Sequence, residues 1–300
     1  MGGMTGADPR LRDLLGSHGG EPDVVLIGFP SDAGIARNGG RVGAAAGPAA
    51  IRDALGRLTP DACDPGSFTA VAARTRDLGD VAVTGDVERD QELLGAALRP
   101  HLELGRFAIV LGGGHETAFG HFLGYERPVS ILNWDAHADV RELKDGGAHS
   151  GSPFRQALEH PSGRCVRYTV AGLQPHAVSA EHLALVKGRG RVVFRDELIT
   201  SAAVAKLYDH VDGPLLVSFD LDAVDGAFAP GVSAPSTNGV PPALWLDAAF
   251  RAGASASVTS ADVVELSPPH DQDGQTARLA ALTVWQILRG LATRTGRSRA

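Results

Sequence analysis

The sequence predicts an α/β fold in which helices cover both faces of a parallel β-sheet. Short apolar runs recur along the chain, they are continuous rather than alternating, and helix-like segments separate them. A strand with one wet face alternates between apolar and polar residues, whereas a strand covered on both faces is apolar at nearly every position. The continuous runs therefore favour a sheet buried between two sets of helices.

Six runs have this buried-strand character and are rich in β-branched residues: 24–29, 107–112, 129–134, 168–173, 191–195 and 215–219. Five segments have apolar residues at helical spacing: 47–58, 89–104, 201–211, 242–253 and 276–294. Because strands and helices alternate without a repeat or a linker, we expect one domain over residues 23–293. Residues 1–22 are expected to be loose, and residues 294–300 to form a C-terminal tail.

Composition excludes several classes of function. The 300 residues are 43% hydrophobic, which is enough for one large core, and the net charge of −7 leaves no basic footprint for nucleic acid. No apolar stretch approaches the ~20 residues of a membrane span, and the N-terminus lacks the apolar region of a signal peptide. Cys63 and Cys165 have no paired spacing, so we expect two reduced, buried thiols rather than a disulfide. We therefore expect a soluble, cytoplasmic protein.

Acidic and histidine residues directly follow three of the predicted strands. Function collects at the carboxyl ends of the strands in such sheets, and side chains two apart point the same way on an extended chain. If the chain stays extended, these side chains converge on one point. They are His115 in GGHE, Asp135, His137 and Asp139 in DAHAD, and Asp220 and Asp222 in DLD.

Four carboxylates and two imidazoles at one sheet edge would repel one another strongly without cations, and two divalent ions would offset the four aspartates. A carboxylate-rich site without thiolates suits a harder ion such as Mn²⁺. Two such ions can make water a nucleophile near neutral pH. DAHAD alone would also be compatible with a capped, solvated acidic loop. LGGGHE is not GxGxxG and has no Walker lysine, which disfavours a nucleotide or phosphate site.

Four ordered segments, GGGHE, DAHAD, SFDLD and ADVVELSPP, resemble the active-site motifs of the ureohydrolases, the arginase and agmatinase family. The resemblance covers roughly residues 24–292 and implies a three-layer α/β/α fold with two divalent ions, usually Mn²⁺. It implies that Asp139 also transfers a proton to the leaving amine, and that Glu265 pairs with a cationic amidine or guanidine. By motif position, one ion is assigned to His115, Asp135, Asp139 and Asp220, and the other to Asp135, His137, Asp220 and Asp222.

Within that family, residues 36–52, 112–120, 229–236 and 265–281 resemble formimidoylglutamases. Two positions distinguish the chain from arginases and agmatinases. Gly114 stands where those enzymes more often have Asp, and Ser150 stands where they usually have the His of an HG pair. Ser150 at that place is typical of formimidoylglutamases, so a histidine proton shuttle is not implied.

The expected substrate has an amidine at one end and two carboxylates at the other, and carboxylates are well matched by arginine forks. Arg141 follows DAHAD by two residues and coincides with the family's amino-acid-contacting position. Arg37 and Arg41, in a loop after the first strand, and Arg155, after the SGSPF turn, are further candidates. An ordinary surface arginine remains the alternative for each of the four.

These residues predict hydrolysis of N-formimidoyl-L-glutamate to L-glutamate and formamide, a step of histidine degradation. A guanidino hydrolase such as agmatinase, guanidinobutyrase or arginase is the alternative within the same chemistry. A non-catalytic metal- or ligand-binding protein is the alternative of another class, and the complete set of ligands with Glu265 argues against it. The family resemblance also implies a homo-oligomer.

Overall fold

A single sheet of eight parallel strands organises the structure, a computed structural model that describes residues 9–209, 211 and 213–297. The strands are hydrogen-bonded in the order β2-β1-β3-β8-β7-β4-β5-β6. Every pairing is parallel, which confirms the predicted sheet. The strands are β1 (Val24–Phe29), β2 (Thr75–Asp80), β3 (Phe107–Gly112), β4 (Val129–Trp134), β5 (Cys165–Leu173), β6 (Gly190–Phe194), β7 (Leu215–Asp220) and β8 (Val258–Val264).

Helices cover both faces of this sheet and complete the predicted three layers. They are α1 (Leu11–Leu14), α2 (Ala33–Asn38), α3 (Gly47–Gly56), α4 (Pro65–Ala73), α5 (Val87–Glu103), α6 (Thr117–Leu123), α7 (Pro153–Glu159), α8 (Ala180–Arg189), α9 (Ser201–Ala205), α10 (Pro242–Ala254) and α11 (Gln275–Arg297). One apolar cluster joins α3, α4, α10 and α11 to the sheet, and a second joins α5, α6, α7 and α8 to it. The core is therefore divided between the two faces.

All six predicted strands are present, but the sequence did not reveal β2 and β8. β2 is an edge strand whose residues after Thr75 are exposed, so it has no apolar run to detect. β8 is buried, yet Ser260 and Asp262 interrupt its apolar pattern. The helix predicted over 201–211 ends at Ala205.

The two ends of the chain differ from the expected boundaries. Residues 1–8 lie outside the described part, but within the segment expected to be loose the helix α1 buries Leu11 completely against the core. The last helix, predicted over residues 276–294, continues to Arg297, beyond the domain boundary expected at residue 293, and residues 298–300 lie outside the described part. Cys165 is a free, buried thiol as expected, whereas Cys63 is free and exposed. None of the described helices combines the length and apolar character that crossing a membrane requires.

Four strands at the centre of the sheet, β3, β8, β7 and β4, lie side by side. The chain leaves β3 for β4, three positions away, and later fills the gap between them with β7 and β8. The carboxyl ends of parallel strands meet at one edge, where open α/β sheets bind their ligands. The segments carrying the predicted site residues follow these four strands.

Candidate metal centre and active site

His115 lies at the centre of a first group of possible ligands, with Asp135, Asp139 and Asp220. Its Nδ1 atom lies 2.9 Å from an oxygen of Asp139, 2.9 Å from an oxygen of Asp220 and 3.4 Å from an oxygen of Asp135. The side chain of His115 is 1% exposed, and that of Asp139 is 11% exposed. These four residues come from the ends of three strands, so only the folded sheet brings them together.

A second group contains Asp135, His137 and Asp222. The Nδ1 atom of His137 lies 3.0 Å from an oxygen of Asp222 and 3.4 Å from an oxygen of Asp135. Asp135 belongs to both groups, as the family resemblance implies for a bridging ligand. Asp220 falls in the first group, where its Oδ2 atom faces His115, and its Oδ1 atom accepts the Asp222 N–H at 2.8 Å.

Tight turns, rather than extended strands, make these side chains converge. β4 ends at Trp134, and the Oδ1 atom of Asp135 accepts the His137 N–H at 2.6 Å. The same aspartate turn recurs at the end of β7, where Asp220 accepts from Asp222. Asp139 has φ 44°, in the left-handed region that non-glycine residues rarely adopt. The expectation of an extended DAHAD segment was therefore wrong, although its side chains do meet.

The electrostatics of the two groups fit divalent cations. Burial, together with the charges of Asp222 and Asp135, raises the pKa of Asp220 well above its usual value. Burial also raises the pKa of Asp222 to about 6, although the neighbouring His137 charge opposes this shift. Carboxylates packed this closely repel one another unless positive charge lies nearby, and a bound divalent cation supplies that charge.

The same carboxylates raise the pKa values of the two imidazoles, His115 and His137. Burial alone would lower the pKa of His115, but the carboxylates of Asp220, Asp135 and Asp139 outweigh it and raise the pKa well above the usual value. The charge of Asp222 is the main cause that raises the pKa of His137. His115 Nδ1 and Asp222 Oδ1 are buried and have no hydrogen-bond partner among the residues that the structure describes, as expected of ligand atoms. This thiolate-free set of oxygen and nitrogen donors suits an ion such as Mn²⁺.

Glu265 lies beside the first group, directly after β8. Its Oε1 atom accepts the backbone N–H of His115 at 2.8 Å, and its own N–H donates to Gly113 O at 2.8 Å. Its φ of 70° is also left-handed, so strained backbone occurs at Glu265 as it does at Asp139. Burial and the charges of Asp220 and Asp222 raise the pKa of Glu265 well above its usual value. A cationic substrate group would relieve this repulsion.

Close packing beneath the site explains one glycine of the GGGHE segment. A Cβ atom on Gly113 would lie 1.8 Å from the backbone oxygen of Ser31. Only glycine fits between the end of β3 and the loop after β1. A larger residue at position 113 would push apart the end of β3, which precedes His115, and the loop after β1.

A cavity of about 350 Å³ opens onto the two groups of candidate metal ligands, which we call the metal cluster. Of the predicted substrate-binding residues, Arg41, Arg141 and Ser150 line it. The sequence did not single out Asn38, whose amide donates to Ser150 Oγ at 3.1 Å and whose oxygen accepts from Arg141 at 3.3 Å. Its position between two candidate residues in ARNGGR was the available signal. The full lining is Asn38, Gly39, Gly40, Arg41, His137, Asp139, Arg141, Ser150, Gly151, Asp220, Asp222, Ser233, Ala234 and Glu265.

Two predicted substrate-binding residues are not part of this lining. Arg37 pairs with Glu88 at 2.7 Å and donates to the oxygen of Ala148 at 2.6 Å. Arg155 pairs with Glu159 at 2.7 Å, one helical turn away along α7. Both guanidinium groups are therefore engaged by pairs within the fold, and we assign neither of them to the substrate.

His149, which precedes Ser150, has both ring nitrogens engaged. Its Nδ1 atom accepts the Gly151 N–H at 3.1 Å, and its Nε2 atom lies 2.9 Å from the oxygen of Glu142. The ring is buried and does not line the cavity. It holds the loop that carries Ser150, and neither nitrogen is left to shuttle protons.

Known proteins resemble this chain over nearly its whole length. Residues 22–289 match the profile of the arginase family. The chain is 38% identical to the formimidoylglutamase of Rhodococcus jostii, over 90% of this chain and 87% of that protein. It is 40% identical to the formimidoylglutamase of Aromatoleum aromaticum, over 91% of this chain and 84% of that protein. The crystal structure of Trypanosoma cruzi formiminoglutamase with Mn²⁺ superposes with a TM-score of 0.86 at 32% identity, covering 96% of this chain and 99% of that one.

Proposed function

Since this chain belongs to the arginase family, we propose that it hydrolyses N-formimidoyl-L-glutamate to L-glutamate and formamide. One observation carries the proposal: a single cavity is lined by Glu265, by Arg41 and Arg141, and by four of the candidate metal ligands, His137, Asp139, Asp220 and Asp222. A substrate with a cationic amidine and two carboxylates matches all three. The similar proteins from Rhodococcus and Aromatoleum are named for this activity.

The cluster would hold two divalent ions, of which Mn²⁺ suits the donors best. His115, Asp135, Asp139 and Asp220 would hold one ion, and Asp135, His137 and Asp222 the other. When bound, such ions make water acidic enough to act as a nucleophile near neutral pH. The manganese in the Trypanosoma cruzi structure supports the choice of ion.

The chain's own residues bind the substrate and transfer a proton from water to the nitrogen that leaves. Glu265 accepts hydrogen bonds from the terminal nitrogen of the amidinium and so keeps that end of the substrate next to the cluster. Asp139, which lines the cavity, takes a proton from water and delivers it to the leaving nitrogen. Arg141 and Arg41 bind the two carboxylates of the glutamate portion, and Ser150 adds a hydroxyl.

The hydrogen bonds already made by these groups separate their roles. Arg41 donates to the oxygens of Ser233 at 2.9 Å and Val232 at 2.6 Å, so its guanidinium is fixed in place before substrate arrives. Among the described residues, the guanidinium of Arg141 donates only to Asn38, at 3.3 Å, and so retains most of its donors. We assign the stronger carboxylate contact to Arg141.

The cavity chemistry also bears on the guanidino hydrolase alternative. Agmatine carries a cation at both ends, so the arginines of the cavity would repel its amine. Arginine and guanidinobutyrate carry a carboxylate and need a direct comparison.

The test is turnover by protein loaded with Mn²⁺, using N-formimidoyl-L-glutamate, agmatine, guanidinobutyrate and arginine in parallel. We expect N-formimidoyl-L-glutamate to be hydrolysed with the highest kcat/KM and activity to be lost on chelation. Faster turnover of a guanidino compound would contradict the substrate assignment, and full activity in chelated protein would contradict the metal assignment.

We also propose that the protein acts in histidine degradation, in the cytoplasm and as a homo-oligomer. Its similarity to metabolic enzymes named for the histidine-derived substrate supports the first two proposals, and the family resemblance supports the third. Cell fractionation and analytical ultracentrifugation test location and assembly. A sedimenting monomer at micromolar concentration would contradict the oligomer.

A further inference from the structure

A chain of buried hydrogen bonds leads from His115 away from the cavity. The Nε2 atom of His115 lies 3.0 Å from Ser218 Oγ, which in turn lies 2.5 Å from Asp262 Oδ1. The second carboxylate oxygen of Asp262 lies 2.7 Å from Nδ1 of His121. Ser218, Asp262 and His121 are all 0% exposed. They belong to β7, β8 and α6, so the chain ties three elements to the imidazole.

The chain continues to the edge of the core. His121 Nε2 lies 2.6 Å from Ser260 Oγ, and Ser260 Oγ lies 2.5 Å from the hydroxyl of Tyr125. That hydroxyl reaches Thr259 Oγ1 at 2.8 Å. His121 is thus held at both ring nitrogens, and its contact with Asp262 is fixed on both sides.

The proton positions follow from the carboxylate of Asp262. A carboxylate only accepts hydrogen bonds, so Ser218 and His121 must both donate to it. The single proton of Ser218 is then committed, and its oxygen accepts from Nε2–H of His115. Nε2 therefore keeps its proton, so Nδ1 is the nitrogen of His115 that is free to give up its proton to a metal ion, and that atom faces Asp135, Asp139 and Asp220. Within the described part of the chain, that atom has no hydrogen-bond partner.

We propose that Asp262 is a positioning residue that acts through Ser218 to fix the tautomer and orientation of His115 for metal binding, with His121 holding Asp262. The inference rests on the metal centre of the proposed function. A carboxylate buried in the middle of a strand destabilises the fold unless hydrogen bonds satisfy it. The hydrogen bonds of Asp262 connect it, through Ser218, to one candidate metal ligand, His115. Partners of this kind typically contribute 10–100-fold to metal affinity.

The effect should be confined to one of the two ions. His115 belongs to the group of Asp135, Asp139 and Asp220, whereas the group of Asp135, His137 and Asp222 does not include it. Loss of the chain should therefore weaken the ion beside His115 and leave the other ion nearly unchanged. A general loss of stability would weaken both.

The experiment is a Mn²⁺ titration of metal-free full-length protein, by equilibrium dialysis with elemental analysis. Ser218→Ala and Asp262→Asn should each raise one of the two dissociation constants 10–100-fold. Because Asp262 acts through Ser218, the double variant should bind Mn²⁺ no more weakly than the single variant with the larger dissociation constant. Thr283→Val is the matched control, since it loses a buried hydroxyl that accepts from Trp245 at 2.8 Å in the core cluster on the other face of the sheet. It should leave both constants unchanged.

The possible results separate the inference from its premise. If the wild-type protein binds fewer than two ions, the metal centre itself is overturned. If it binds two, but Ser218→Ala matches Thr283→Val or weakens both ions equally, only the positioning role is overturned. Ser218→Ala decides the matter even if Asp262→Asn fails to fold, because it removes one hydroxyl and leaves the strand intact.

Discussion

Asp135 and Asp220 looked equivalent in the sequence, since each opens an acidic segment after a strand. The structure separates them, because Asp135 lies in both groups of ligands and Asp220 in one. We expect Asp135→Ala to lose both ions and Asp220→Ala to lose only the ion beside His115. Elemental analysis of the purified variants at saturating Mn²⁺ measures this. Two ions retained in Asp135→Ala would show that it does not bridge them.

Arg141 is the residue on which the substrate assignment depends most. If Arg141 binds a substrate carboxylate, Arg141→Ala should lower kcat/KM for N-formimidoyl-L-glutamate. The expected fall corresponds to a loss of about 2 kcal/mol in transition-state stabilisation, the lower end of the range for truncating one partner of a charge pair. The lower end applies because Arg141 is exposed. An amidine without carboxylates should lose far less.

Arg155→Ala is the matched control for Arg141→Ala, because Arg155 lies outside the cavity lining. It should leave kcat/KM for both substrates close to the wild-type values. Equal losses for Arg141→Ala on the two substrates would instead assign Arg141 to the metal cluster or the fold.

The arginines also show what a sequence reveals at this scale. Spacing from DAHAD placed Arg141 at the cavity, because a short chain segment cannot carry it far from Asp139. Arg37 has a long side chain and turns instead to Glu88, 51 residues further along the chain. That pairing depends on how α5 packs, which no local pattern contains.

At the scale of elements, strands were predictable where burial made them continuously apolar. β2 pairs with β1 alone and is solvated, so its residues carry no such signal. β8 was missed for a different reason: Ser260 and Asp262 are polar residues that a buried hydrogen-bond chain satisfies. The two turns after β4 and β7 were also beyond a periodic argument, because side-chain hydrogen bonds create them.

The junction between β3 and the loop after β1 gives a test at this scale. Gly113→Ala would place a methyl group 1.8 Å from the Ser31 backbone oxygen, and that oxygen cannot move as a flexible side chain could. We expect a loss of about 3 kcal/mol, seen as a fall in the melting temperature of roughly 6–12 °C. Displacement of His115 should also weaken Mn²⁺ binding.

Gly66→Ala, in α4, is the control for Gly113→Ala, since nothing lies within 4 Å of its added methyl group. It should leave Mn²⁺ binding unchanged and should not lower the melting temperature, because alanine favours a helix over glycine. A Gly113→Ala variant as stable as Gly66→Ala would show that the loop after β1 adjusts freely.

For the molecule as a whole, strand order was the part that the sequence could not supply. The motifs indicated that His115 and Asp220 would share an edge of the sheet, but not that β8 lies between β3 and β7. That insertion places Glu265 within 2.8 Å of the His115 backbone, and so brings the carboxylate proposed to bind the amidine next to the candidate metal ligands.

This arrangement bears on which bond of the substrate breaks. Addition of water to the formimidoyl carbon gives a tetrahedral centre with two nitrogens, and the nitrogen that receives a proton leaves. Loss of the terminal nitrogen gives ammonia and N-formyl-glutamate. Loss of the glutamate nitrogen gives formamide and glutamate.

Glu265 favours the second outcome, because a carboxylate holds the terminal nitrogen as a hydrogen-bond donor and keeps it from leaving. The glutamate nitrogen then remains for the proton that Asp139 carries, and the balance is one amidinium and one water giving one ammonium and one formamide. Formamide and glutamate should therefore appear in equal amounts, without ammonia, when both products are assayed in parallel. Glu265→Gln should lower kcat and, by loosening the hold on the terminal nitrogen, allow some ammonia to form. Stoichiometric ammonia from the wild-type protein would reverse the roles given to Glu265 and Asp139.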